Sequence, residues 1–165
     1  MTNINKANVF DDGILITFSM AGMLGKIKEL KDVFDGEFFI TEDVKLEVID
    51  KPINIKRFAL EGLRVKRLFD DGVIKLPETV GINNSELNKK TEEILSVANN
   101  TFFGRCKAIK IIHSGEASSL ALSKILNEKK IKNVIAVDER TARMLGEKPD
   151  NLKRLFGEKL HMNIT

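Results

Sequence analysis

Short apolar runs alternate along this chain with longer segments of helical period, and that alternation restricts the fold more than any other feature. "KANVF" (6–10), "EFFI" (37–40), "AIKIIH" (108–113) and "NVIAV" (133–137) read as strands. Helices are predicted over 14–34 with a break near Gly22, over 42–50 behind a Thr41 cap, and over 53–69. Two more are predicted over 86–99, opened by Ser85, and over 115–130. "GVIKLP" (72–77) reads as extended, and 151–165 as a short helix followed by a last strand. Strands that alternate with helices build βα units on a mostly parallel sheet covered on both faces, so the expected class is α/β. At 165 residues, with no repeat, low-complexity tract or linker, the expectation is a single domain over 1–165.

Composition narrows the partners. The 42% hydrophobic and 31% charged residues are those of a globular protein, and no apolar run approaches the ~18 residues of a membrane span. The start, "MTNINKANVF", lacks the basic-then-apolar build of a signal peptide, so the expected location is the cytoplasm, away from membranes. One cysteine, Cys106, leaves no internal disulfide and no thiolate pair for a metal, and fits a reducing compartment. The formal net charge of +3 permits a polyanion without announcing one, and with Trp and Tyr absent any base stacking falls to Phe or Arg. No Gly-rich phosphate loop, Ser–His–Asp arrangement or zinc-type spacing appears; "MAGMLGK" lacks the Walker spacing and lies within helical periodicity.

In an open parallel sheet, ligands sit outside the carboxyl ends of the strands. Asp11 and Asp12 follow "KANVF", Glu116 follows "AIKIIH" in the first turn of the next helix, and Asp138 follows "NVIAV". Glu47 lies in the helix after "EFFI", which starts from the same edge. Each acid taken alone reads as a helix cap or dipole partner. Together they form a cluster that repels itself unless a cation neutralises it, and hard oxygen donors suit Mg²⁺ or Mn²⁺. A metal held this way retains water ligands and serves phosphoryl chemistry.

The same stretches carry a family resemblance. "VFDDGILI" resembles the opening signature of PIN-domain nucleases, and "FFITEDVKLEVID" their segment in which a helix presents a second acid. "HSGEASSLAL" is similar to the family's Gly-Glu motif, and "VIAVDERTARML" to its final strand, Asp and Ala-Arg helix. The matches occur in family order from residue 7 to about 145. The resemblance implies a three-layer αβα sandwich, with Asp11, Glu47, Glu116 and Asp138 as the metal-binding, catalytic acids of a metal-dependent endoribonuclease. It also implies RNA as substrate and, for the VapC-type toxins of this family, an antitoxin partner and homodimerisation; other members process RNA. The alternative it leaves open is a catalytically inactive PIN-fold module that binds RNA or protein. Asp12 and Gly13 depart from the Thr or Ser followed by Asn of many members, and the closing helix many carry would fall beyond residue 165.

Basic residues supply substrate-binding candidates. On one continuous helix, a ~100° step per residue gathers Lys56, Arg57, Arg64 and Arg67 on one side, fit either for RNA phosphates or for plain solvation. Arg140 is a candidate phosphate ligand near the acids, while Arg143 reads better as a structural partner. His113 ends a strand beside the Gly-Glu motif and is not needed by a carboxylate mechanism, though imidazole shuttles protons at neutral pH.

Overall fold

The computed structural model describes residues 4–138 and 148–161. Three parallel strands form its sheet: β1 (Lys6–Phe10) lies between β2 (Glu37–Phe39) and β5 (Lys132–Ala136). Register is set by Ala7 opposite Glu37 and Asn133, and by Val9 opposite Phe39 and Ile135. The residues predicted as extended after 72 lengthen this edge, since Lys75 bridges to Phe39 through Ile40 N–H to Lys75 O at 3.0 Å and Lys75 N–H to Phe38 O at 2.9 Å.

The break expected near Gly22 is present. Helix α1 (Asp12–Met20) stops, Gly22 takes the left-handed conformation that glycine adopts without penalty, and α2 (Leu24–Val33) begins. Thr41 caps α3 (Glu42–Lys45) as expected, its hydroxyl accepting from Val44 N–H at 3.3 Å. That hydroxyl is fully buried and also shares a 2.7 Å hydrogen bond with Ser118, tying the cap to a distant helix.

Three helix expectations are corrected. The helix over 42–50 is not uniform: it widens into a π-helical turn over Leu46–Asp50 and runs on into α4 (Lys51–Ile53). The next helix, α5 (Ala59–Asp70), therefore starts six residues later than predicted, and Lys56 and Arg57 lie in the turn before it. Helix α6 (Asn84–Asn99) is capped by Asn83, whose side chain accepts from Ser85 N–H, rather than by Ser85.

"AIKIIH" is not a sheet strand. The chain forms a small antiparallel hairpin, β3 (Phe103–Gly104) and β4 (Lys107–Ala108), turning through Arg105 and Cys106 at positive φ, and then runs extended to His113. The side chain of Asn99 stands in for a neighbouring strand there. Its Oδ1 accepts from Ile111 and Ile112 N–H, and its amide donates to Ile112 O. Buried Ile111 and Ile112 give the stretch its strand-like pattern without a strand partner.

Helix α7 (Ser114–Glu128) leads back to β5, and α8 (Pro149–Leu160) follows the undescribed segment. Alternating strand residues feed two cores. Phe10 and Phe38 pack with Leu15, Ile27, Val48 and Val65 from α1, α2, the π-turn and α5. Ala7, Val9 and Phe39 pack with Leu87, Leu122 and Ile125 from α6 and α7. A third cluster seats α8, through Leu152 and Phe156, against Ala98, Phe102 and Ala117. The last strand predicted after 161 lies outside the described residues. Among the described residues, no helix is long and apolar enough to cross a membrane.

Candidate functional site

The carboxyl end of β1 delivers Asp11 into the interior. Its N–H continues the ladder to β5 through Ala136 O at 3.0 Å, and the residue is 1% exposed. Neither carboxylate oxygen has a hydrogen-bond partner. A buried carboxylate in that state is costly and holds a proton instead. Burial chiefly, then the charge and close approach of the Asp12 carboxyl, then the charge of Glu116, push the Asp11 carboxyl up to about 8; the nearby Asp12 backbone N–H offsets part of this.

Two glycines mark how tightly the other acids surround it. A Cβ at Gly13 would lie 3.5 Å from the Asp138 Cβ and 3.9 Å from Asp11 Oδ2. A Cβ at Gly115 would lie 3.3 Å from the Asp12 carboxyl and 3.6 Å from Asp11 Oδ1. The first turn of α7 thus approaches the Asp12 carboxyl closely enough that a Cβ at Gly115 would crowd it, while one at Gly13 would make ordinary contact. Glu116, nearly buried, accepts from His113 N–H at 2.7 Å. Asp138 is exposed and accepts from the Thr17 hydroxyl at 2.8 Å.

Glu47 reaches the cluster from the π-turn. The extra residue in such a turn redirects the side chains it carries, and π-turns recur at functional sites. Burial first, then a hydrogen bond and charge repulsion from Asp12, raise the Glu47 carboxyl above the ordinary range, while Lys51 and His113 oppose the shift. Lys51 stands 3.9 Å from Glu47. Asp43 borders the same region and is also raised, mainly by burial, with Ser118 opposing and Glu42 adding to the shift.

Asp11 therefore has Asp12 and Glu116 as charged neighbours, Glu47 neighbours Asp12, and Asp138 lies across Gly13 from Asp11. Glu116 arrives there without a preceding sheet strand, on an extended segment held by Asn99. Among the described residues, no three carboxylate, imidazole or thiolate side chains are disposed as a ready ligand set for a metal ion. Glu116 and Asp138 each accept a hydrogen bond from a donor of the protein itself, and Glu47 faces Lys51. Only Asp11 is left with none. Thr17 and Lys51 were missed in sequence, although Lys51 stands four residues after Glu47 and so shares its helix face.

The basic candidates separate. Arg64 and Arg67, with Lys28, open onto a cavity of about 410 Å³ beside Ser19, near the end of α1 opposite the acids. Arg57 lies over the Phe58 ring, 5.4 Å from its centroid. Arg140 and Arg143 lie outside the described residues. A second cavity, about 340 Å³ and almost wholly apolar, runs between α1, the π-turn and α5, and Glu47 lines both it and the acid cluster. Comparison with known proteins adds no name to this arrangement: no family model, curated protein or solved structure matches the chain.

Proposed function

We propose that this chain is a metal-dependent endoribonuclease of PIN type, its sheet and flanking helices forming the three-layer αβα sandwich of that family. The observation that carries the reading is Asp11: a carboxylate 1% exposed, both oxygens without a donor, ringed by further acids at the carboxyl end of a parallel strand. An orphaned, buried carboxylate among others is stable in charged form only beside a cation. The donor set is all oxygen, which fits Mg²⁺ or Mn²⁺.

Asp11, Glu47, Glu116 and Asp138 would hold the ion, with Asp12 lending further negative charge. A divalent ion supplies Lewis acidity toward a water and a phosphodiester oxygen. The chain's own residues do the rest. Asp11, fixed by its ladder hydrogen bond, forms the floor. His113 N–H sets the Glu116 carboxylate, and Thr17 sets that of Asp138. Lys51 at the rim offers a cation to an incoming phosphate.

The test is cleavage of a labelled single-stranded RNA by the purified chain. Activity is expected with Mn²⁺ or Mg²⁺, with loss in chelator and a fall of about 10–100-fold in Asp138→Asn, whose carboxylate is exposed and held by a single hydroxyl. A second reading, a PIN-fold module that binds RNA or protein without turnover, is favoured by the acids being turned to protein donors. It predicts RNA retention with no cleavage under any metal condition.

A further inference from the structure

The cavity that Glu47 and Lys51 share with the acid cluster has apolar walls that the nuclease reading does not use. Ile16 and Met20 of α1, Val48 of the π-turn, and Ile55 and Phe58 before α5 form its walls. Ile16, Met20, Ile55 and Phe58 are all large apolar side chains left exposed, between 40% and 72%. Two carboxylates line it: Glu47, which faces Lys51 at 3.9 Å, and half-buried Glu61, whose Oε2 is shielded from solvent and has no hydrogen-bond partner. The buried Ser19 hydroxyl donates to Glu61 O at 3.3 Å and fixes its backbone, while the terminal torsion of a Glu side chain turns easily.

Two cations adjoin these walls. Lys51 lines the cavity and is largely exposed, and the Arg57 guanidinium lies over the ring of the lining residue Phe58. The cavity therefore suits a flat apolar body that offers hydrogen-bond donors to Glu61 and negative charge to Lys51 and Arg57. A nucleotide has that pattern. At about 340 Å³ the cavity lies near the lower end of the roughly 300–1,000 Å³ of small-molecule sites.

We infer that this groove is the subsite for one unstacked guanine of the RNA strand, with Glu61 reading its edge, Phe58 stacking on its face, and Lys51 and Arg57 receiving the flanking phosphates. The inference rests on the nuclease reading above and names its substrate class. Guanine presents N1–H and N2–H side by side, two donors that match the two oxygens of one carboxylate. Adenine and cytosine set one amino group beside an acceptor nitrogen, and uracil sets one N–H between two carbonyls. Each of those edges turns at least one acceptor toward the Glu61 oxygens. Unpaired bases read on their Watson–Crick edge and stacked on an aromatic ring are the usual mode for single-stranded RNA.

The test is a methyl-NMR titration of the full chain, in chelator, with guanosine, adenosine, cytidine and uridine 5′-monophosphates. Saturable shifts are expected at the Ile16, Met20, Val48 and Ile55 methyls, with the guanosine nucleotide bound about tenfold more tightly than the others. Phe58→Ala and Glu61→Gln, at positions whose side chains are not core, should each weaken it about tenfold while leaving the rest of the spectrum in place. Equal affinity for all four nucleotides, no shift at these methyls, or an unchanged preference in Glu61→Gln overturns the inference. Shifts at the same methyls that appear on concentrating the protein alone assign the groove to a second copy and overturn it too. Because no metal or turnover is involved, nucleotide binding here without RNA cleavage sinks only the nuclease reading. Cleavage without nucleotide binding here sinks only the guanine subsite.

Discussion

Asp11→Asn removes RNA cleavage, by about 10³-fold or more, and at the same time makes the metal-free protein more stable at alkaline pH. The two effects share one cause. Asp11 is buried without a donor, and its carboxyl is raised from 3.8 to about 8. The folded chain therefore keeps a proton there that the unfolded chain has released, throughout the interval between those values. Stability from this group is complete below about pH 4 and is lost as pH rises through about 8, with a slope of at most about 1.4 kcal/mol per pH unit. Asparagine has nearly the same shape, carries no charge, and brings an amide that can donate to Asp12 or Glu116. Urea unfolding in chelator from pH 5 to 9 should show wild type falling relative to Asp11→Asn, with a gap of about 1–3 kcal/mol or more at pH 8. Parallel curves would mean that Asp11 is not the strained acid.

Phe38→Ala is expected to be the most damaging single truncation on the sheet. Phe38 is 0% exposed in the middle of β2, edge-on to Phe10 at 5.2 Å between centroids and tilted against Phe34 at 5.1 Å. Lys31 stands 5.4 Å from the same ring, and its ammonium also reaches Gly36 O and Glu37, so the ring closes one end of the core. Removing it leaves a cavity that three elements cannot collapse into, at a cost of about 3–5 kcal/mol. For a domain of this size that lowers the melting temperature by roughly 10 °C, readable by circular dichroism. A loss under about 1 kcal/mol would show that this end of the core is loosely packed.

How much of this was legible in the sequence follows the range of the forces involved. Strand β1 with its terminal Asp11, the Gly22 break and the Thr41 cap are local, and residue type alone indicates each. That Asp138 lies near Asp11 and Glu47 near Asp12 was legible too, because parallel strands bring their carboxyl ends to one edge. The π-turn was not. Its extra residue is stabilised by packing of Val48 and Ile49 into the core, which no 3.6-residue period records. The stretch before Glu116 misled for a related reason: Ile111 and Ile112 are buried like strand residues, yet their backbone partner is a side chain twelve or thirteen positions away. The basic face misled because Lys56 and Arg57 precede the helix that was to align them. That Asp11 would lack a donor while Glu116 and Asp138 found one depends on where α1 and α7 begin relative to one another, which only the fold decides.

The account stands or falls on whether these acids take a divalent ion. Calorimetric titration of Mn²⁺ into the chelator-stripped chain, run in buffers of different ionisation heat, addresses that directly. The expected result is saturable binding, with release of a proton below pH 8 as Asp11 gives up the one it holds, and loss of the site in Asp11→Asn. Absence of saturable binding, or binding that Asp11→Asn and Asp138→Asn both leave unchanged, would contradict it.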